Sequence, residues 1–299
     1  MTTSSPGLSW PEERADAAPD ERHRLALAAS NIVLDLHGDP VKSQVSVFSD
    51  GNHHMALAET LTSFLALNPE AADVFFLTLP PRLVIAAMQS GTVTIGNLTV
   101  SCHADVLIGP APILADLHQA GRIGPPRAFM RSSGLSILVR KGNPAGVGRV
   151  VDLLDRRVRL AISNPVTETA SFGVYETGLL ATADRAGRSP DALASFLRSD
   201  AVLKSALIHH REIPELIARG HADASLLYHH LALRYARVFP EIFDLVEVPA
   251  EEWDDAAAIT TTYQMALVGD GGRWGEALVR FLESGEVTGI YEYHGLRRG

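Results

Sequence analysis

Ala222-Asp223-Ala224-Ser225-Leu226-Leu227-Tyr228 runs straight into His229-His230 and a helical pattern, and this junction decides the fold. A short apolar run ends in a polar turn, and a helix begins at once. The same junction occurs at VSVFSDGNHHMALAETL, from Val45 to Leu61, and at RLAISNPVTETASFGVYETGLL, from Arg159 to Leu180. Apolar strands alternating with helices read as a mostly parallel sheet covered on both faces. Helix N-termini then gather at the carboxyl edges of the strands. Their unpaired N–H groups and the positive end of the helix dipole suit a small, usually anionic, ligand. Small-molecule capture is legible here; bond chemistry is not.

Composition narrows the classes further. With 299 residues, 46% of them hydrophobic, the chain has room for one large domain or two lobes. A formal net charge of -9 and the lack of a dense Lys/Arg run exclude a nucleic-acid surface. Cys102 is the single cysteine, so neither an intramolecular disulfide nor a cysteine zinc site is possible; its TVSCHADVLIG setting reads as a small buried residue. Met1–Pro19 is rich in Ser, Pro, Ala and acids, without a basic start followed by an apolar run. Leu25–Val33 is too short for a signal peptide, and no stretch is long enough to span a bilayer. As written the chain reads as cytoplasmic, or as periplasmic or extracellular if its start is misassigned.

Along the chain, strands are expected at Val45–Phe48, Val74–Leu77, Asp105–Ile108, Ser136–Val139, Val158–Ile162, Ala224–Tyr228 and Thr262–Val268. Helices are expected at Asp20–Leu36, His54–Leu67, Leu83–Met88, Ile113–Ala120, Gly173–Ala183, Pro190–Leu197, Pro214–Arg219 and Trp274–Glu283. Gly91–Thr99 reads as a hairpin or a strand with a bend, Lys141–Pro144 as a turn and Trp253-Asp254-Asp255 as a solvated loop. Asp73, Asp105 and Asp223 fall at strand starts and read as structural carboxylates. There is no GxSxG elbow, HExxH, Walker loop or GxGxxG, so no enzyme activity and no cofactor are expected.

The ordered set VSVFSDGNHH, ADVLIG, SILVRKGNP, RLAISNP, GVYETGLL, GHADASLLY and IYEYHGL resembles the type II periplasmic binding proteins, most of all their molybdate-binding branch, over about residues 44 to 299. The resemblance implies two α/β lobes, each a mostly parallel sheet flanked by helices, with the ligand between them. Lobe 1 would take residues 44–131 plus 260–299 and lobe 2 residues 132–259, after a partly flexible arm, 1–43. It implies capture of an oxyanion such as molybdate or tungstate by lobe closure, and delivery to an ABC permease. A cytoplasmic sensor or carrier of the same fold, serving another protein partner, is the alternative.

Carried over residue by residue, the resemblance points to Ser49, Asp50, Gly51 and Asn52 in the first turn and Thr78 in the second. Ser132 and Ser133 would serve on the hinge side, Thr167, Thr169 and Ser171 in the lobe 2 turn, and Tyr228 through its hydroxyl. Three departures stand out. Asp50 and Glu168 sit in turns that should face an anion and would repel it. The Pro80-Pro81 pair removes two N–H donors. His53 and His229, with a carboxylate, offer a divalent-metal alternative, whereas His209-His210 reads as surface or helix-cap histidine.

Overall fold

Val74–Leu79, Val106–Pro110 and Ala224–Tyr228 are buried at every position, as strands covered on both faces must be. The computed structural model describes residues 35–95, 98–249 and 258–299. The expected Trp253-Asp254-Asp255 loop and most of the 1–43 arm, with its Asp20–Leu36 helix, lie outside the described residues. Two compact units emerge. The first takes the described residues up to Arg131 with Thr262–Tyr293 and Arg297–Gly299; the second takes Ser132–Thr261 with His294–Leu296.

The chain begins with β1 (Leu36–His37), β2 (Val45–Asp50), a 3-10 turn at Gly51–His53, and α1 (His54–Leu67). Next come β3 (Val74–Leu79), α2 (Pro81–Ser90), the hairpin β4 (Thr92–Ile95) and β5 (Leu98–Ser101), β6 (Val106–Pro110), α3 (Ala111–Gln119) and β7 (Arg127–Ser132). The second unit holds β8 (Leu135–Arg140), β9 (Ala161–Ile162), α4 (Thr169–Arg185), α5 (Pro190–Arg198), β10 (Leu203–Lys204), α6 (His209–Ala218), β11 (Ala224–Tyr228), α7 (His229–Val238) and β12 (Phe243–Glu247). Then β13 (Thr262–Leu267), α8 (Gly275–Leu282), α9 (Gly285–Tyr293) and β14 (Leu296–Arg298) close the chain.

The larger sheet runs β1-β3-β2-β6-β13-β7-β14. Its β3-β2-β6 part is parallel as expected, whereas β1 on β3 and β13 on both β6 and β7 run antiparallel. In the second unit β9 and β10 pair parallel, but β11-β8-β12 is antiparallel throughout. The sheets are therefore mixed, which corrects the mostly parallel expectation within an α/β fold. The reason is connectivity: parallel pairing needs a crossover, usually helical. Helices α1 and α2 supply it for β2, β3 and β6, whereas β13 re-enters the sheet after the whole second unit.

Side-chain alternation sorts the cores. Phe48, Phe75, Leu77, Leu107 and Leu114 share one cluster of the first unit with Val84 and Ala87 of α2. On α1 the buried positions Ala56, Leu57, Leu61 and Phe64 recur at helical spacing. Phe64 meets Trp274 and Phe281 edge-on or tilted at 6.3 and 5.7 Å. In the second unit one core joins Ile137, Leu138, Tyr175, Leu179, Leu226 and Tyr228. Gly38 stands at φ +80°, where a Cβ would lie 2.2 Å from the Val74 carbonyl oxygen, so only glycine fits there.

Several expected helix starts moved toward the N-terminus, those of α3 from Ile113 to Ala111 and α4 from Gly173 to Thr169 among them, and two of the moves turn on proline. Pro81 is the first residue of α2, two residues ahead of the expected Leu83, at a position where a missing N–H costs nothing. Helix α6 starts at His209 and carries Pro214 inside. Proline cannot bond the carbonyl four residues back, that of His210. The Tyr235 hydroxyl donates to that carbonyl instead, at 2.6 Å. The strand expected at Val158–Ile162 is shorter, with Leu160 making a single bridge to Ala224. Cys102 is buried, and burial pushes its thiol pKa up. Asp105 accepts from Ser46 N, Asp73 from Asp39 N and Val74 N, and Asp223 pairs with Arg159, all structural roles.

Candidate functional site

The turn after β2 is buried from Ser49 through His54. Asp50 caps it: one carboxylate oxygen accepts from Asn52 N at 3.0 Å, the other from Asn52 Nδ2 at 3.2 Å. A carboxylate only accepts, so this contact fixes the Asn52 amide with Nδ2 toward Asp50. The Asn52 Oδ1 atom is then a buried acceptor with no hydrogen-bond partner. Gly51 is buried in the same turn, and its carbonyl faces His54 Nδ1 at 2.9 Å.

His53 is not poised for a metal. Its Nε2 lies 3.3 Å from Ser49 Oγ and its Nδ1 3.2 Å from the Tyr291 hydroxyl. Phe129, Tyr263 and Tyr291 surround the ring. Desolvation in this nest lowers the His53 pKa to about 3 and raises that of Tyr291 well above 10. Neutral imidazole and neutral phenol bond each other there. Among the described residues no group of three or more His, Cys, Asp and Glu is arranged to hold a metal ion.

Thr78, expected to offer its hydroxyl from the second turn, gives it to Asp35 Oδ1 at 3.1 Å, while Thr78 N donates to the Asp35 carbonyl. The neighbouring helix starts are poor in donors. Pro80 and Pro81 open α2; Pro110 precedes α3, and proline returns within its first two residues. Between these starts lies a shallow pocket of about 230 Å³, open solvent included. Its walls include Val84, Ile85, Ile113 and Leu117, and its one charged lining residue is Asp50.

In the second unit Ser132 and Thr261 clasp each other: Ser132 N donates to the Thr261 carbonyl and Thr261 N to Ser132 Oγ, both at 2.9 Å. The Tyr228 hydroxyl, at the end of β11, sits 2.7 Å from Thr261 Oγ1. Two residues picked from distant parts of the sequence, Ser132 and Tyr228, thus form one polar chain with Thr261 between them. Ser133 is half-buried beside it. His229 places Nδ1 2.9 Å from Ser136 Oγ, and its N–H donates to the Gly134 carbonyl. Removing the Tyr228 hydroxyl in Tyr228→Phe is expected to lower stability by about 1 kcal/mol, the net worth of one buried hydrogen bond. Urea unfolding of the two proteins would show it.

The turn after β9 divides the remaining candidates. Thr167 gives its hydroxyl to the Ala206 carbonyl at 3.0 Å, whereas Thr169 is exposed at the first position of α4. Ser171 donates to the Glu168 carbonyl. No side chain caps α4, although Glu168 holds the N-cap position. The Glu168 carboxylate turns instead to α6, accepting from His209 N at 2.7 Å, His209 Nδ1 at 2.6 Å and the Ser205 hydroxyl. Burial opposes its ionisation, but the His209 charge and these hydrogen bonds together hold its pKa below 4.5. Glu212 likewise accepts from the N–H groups of Ala206, Leu207 and Ile208.

His209 and His210 are thus buried, not surface caps as expected, because α6 begins at them and Glu168 anchors the first. Sequence reasoning also missed Ser163, fully buried with a hydroxyl that has no partner, just after β9. Its signal was available: a small hydroxyl residue stands at the carboxyl end of its strand, as Ser49 does one residue before the end of β2. Thr261 carried no signal, since its role depends on a clasp with a residue far away in sequence.

Comparison with solved structures gives three informative likenesses. The sulfate-binding protein SubI from Mycobacterium tuberculosis has a TM-score of 0.64 at 15% identity, over 86% of this chain and 87% of that one. The periplasmic molybdate-binding protein of Azotobacter vinelandii gives 0.58 at 14%, over 85% and 99%. Iron-bound HitA from Pseudomonas aeruginosa gives 0.54 at 13%, over 84% of each chain. At such identities they share the fold, and their named ligands differ. No curated protein matches the sequence. Among the described residues no helix is long and apolar enough to cross a membrane. The family model that matches residues 47–297 is described as extracellular, so the expected cytoplasmic placement has no support. By that match, the chain belongs to the bacterial extracellular solute-binding proteins.

Proposed function

We propose that this protein captures a small ligand outside the cytoplasm by closure of its two units and delivers it to an ABC permease. The observation that carries the reading is the family match over residues 47–297. Within it, an anionic group of the ligand, an oxyanion such as molybdate or tungstate or the acid group of a larger molecule, belongs at the start of α4. That helix has no side-chain cap, exposes Thr169 at its first position, and follows the unpartnered Ser163 hydroxyl. Glu168, the carboxylate expected to repel an anion there, is spent on His209 and Ser205. The likeness to sulfate- and molybdate-binding proteins supports an anion in the same terms.

Thermal unfolding against a ligand panel tests this. A ligand held a thousandfold above its Kd stabilises by roughly 4 kcal/mol, a rise of several degrees in Tm. Molybdate, tungstate, sulfate and phosphate form one arm of the panel, and organic phosphates and carboxylates the other. A rise in the first arm is expected if a bare oxyanion is the ligand, in the second alone if the anion is part of an organic molecule. No rise with any anion would overturn the assignment to α4.

A further inference from the structure

Within the second unit, one line of hydrogen-bonded side chains joins the turn before α4 to the Ser132–Thr261 clasp. Glu168 holds the N-cap position of α4, yet its carboxylate reaches across to α6. It accepts from His209 Nδ1 at 2.6 Å, and because a carboxylate only accepts, that nitrogen carries a proton. The other ring nitrogen, Nε2, lies 3.2 Å from the Tyr175 hydroxyl. The oxygen of that hydroxyl accepts from Tyr228 N at 3.4 Å, and the Tyr175 and Tyr228 rings meet edge-to-face at 5.1 Å. Tyr228 reaches Thr261 through its own hydroxyl, and Thr261 exchanges two hydrogen bonds with Ser132.

The line ends at a telling place. Ser132 and Thr261 are the first and last residues of the long segment that makes up this unit. Glu168, His209, Tyr175, Tyr228 and Ser132 are all buried. Water cannot stand in for a lost bond in such a line, so a shift at one end is passed along it. The clasp supplies the two-state element that coupling requires, since its pair of bonds is either made or broken.

We infer that His209 and Tyr175 are positioning residues that couple the start of α4 to the Ser132–Thr261 clasp. An anion held at α4 then steadies the clasp, and a steadied clasp raises the affinity for the anion by the same factor. The inference rests on the proposed anion site and adds to it the route by which its occupation is felt where the chain enters and leaves the unit.

Amide hydrogen exchange of the full chain tests this, with Tyr175→Phe as the central variant, because it deletes the middle of the line and keeps the ring. Without ligand, the Ser132 and Thr261 amides are expected to exchange roughly two- to fivefold faster in Tyr175→Phe, the effect of one lost buried hydrogen bond on local opening. Amides of α5, which contributes no residue to the line, should keep their rates. Tyr228→Phe cuts the line at its far end, so the double variant should exchange no faster at the clasp than Tyr228→Phe alone. With molybdate or sulfate at millimolar concentration, the clasp amides of the parent are expected to slow, and those of Tyr175→Phe to slow less. Equal clasp rates in parent and Tyr175→Phe without ligand would overturn the inference, as would effects that add in the double variant. An anion that raises Tm without slowing the parent's clasp would overturn it too, while leaving the capture reading standing. The ligand-free effect without a Tm rise from any anion would support the line and count against the anion site instead.

Discussion

Stability is expected to fall by on the order of 4 kcal/mol between pH 6.5 and pH 3, with His53 as the source. Buried among Phe129, Tyr263 and Tyr291, the folded imidazole resists protonation down to about pH 3, whereas in the unfolded chain it protonates near 6.5. Below pH 6.5 the unfolded state therefore binds the extra proton. The contribution is fully present above 6.5 and is lost as pH falls toward 3, the reverse of a histidine that gains a carboxylate partner. Carboxylates add their own loss below about pH 4.5, so the informative window lies between 6.5 and 4.5. His53→Gln is expected to cost about 1–3 kcal/mol at pH 7.5, because one amide cannot serve both Ser49 and Tyr291. Its stability should then change little from pH 6.5 to 4.5. A variant with the same slope as the parent in urea unfolding would remove His53 from the account.

The same residue shows what sequence can and cannot give. His53 was legible as a polar residue between a strand and a helix, and α1 begins one residue later, as the spacing of Met55, Ala58, Leu61 and Leu65 requires. Its partners were not legible. Tyr291 lies far along the chain in α9 and meets His53 only when α9 packs on α1. Strand β11 was read to the residue, because a buried apolar run between a polar start and a helix leaves little choice. Helix α6 was read late, because Pro214 outweighed His209-His210 in the local pattern. The Tyr235 hydroxyl that satisfies the His210 carbonyl is invisible to any local rule. Direction of pairing failed for a related reason: β13 has the composition of a buried strand whichever way it runs, and only the long return of the chain makes it antiparallel. The turns were found as turns; which of their side chains serve the protein itself emerged only from tertiary contacts.

Glu168 carries the other large expectation. Glu168→Ala should cost about 3–5 kcal/mol, the usual result of removing one member of a buried, hydrogen-bonded ion pair. It would strip His209 N and Nδ1 and the Ser205 hydroxyl of their acceptor in a place that water does not reach. Glu168→Gln keeps an acceptor for those donors and should cost less, about 1–2 kcal/mol. The sign with pH is opposite in origin to that of His53. Since its folded pKa lies below 4.5, the Glu168 contribution is present above that pH and lost as pH falls through the folded value. The difference between parent and Glu168→Gln should therefore shrink in acid. Anion affinity supplies a second readout. With the carboxylate directed at α6, Glu168→Gln should leave anion binding at the start of α4 nearly unchanged. Were it directed at the ligand, removing its charge would tighten anion binding instead. A clear gain in affinity for sulfate or molybdate would thus show that Glu168 guards the α4 turn, and that its contact with His209 is only one of its positions.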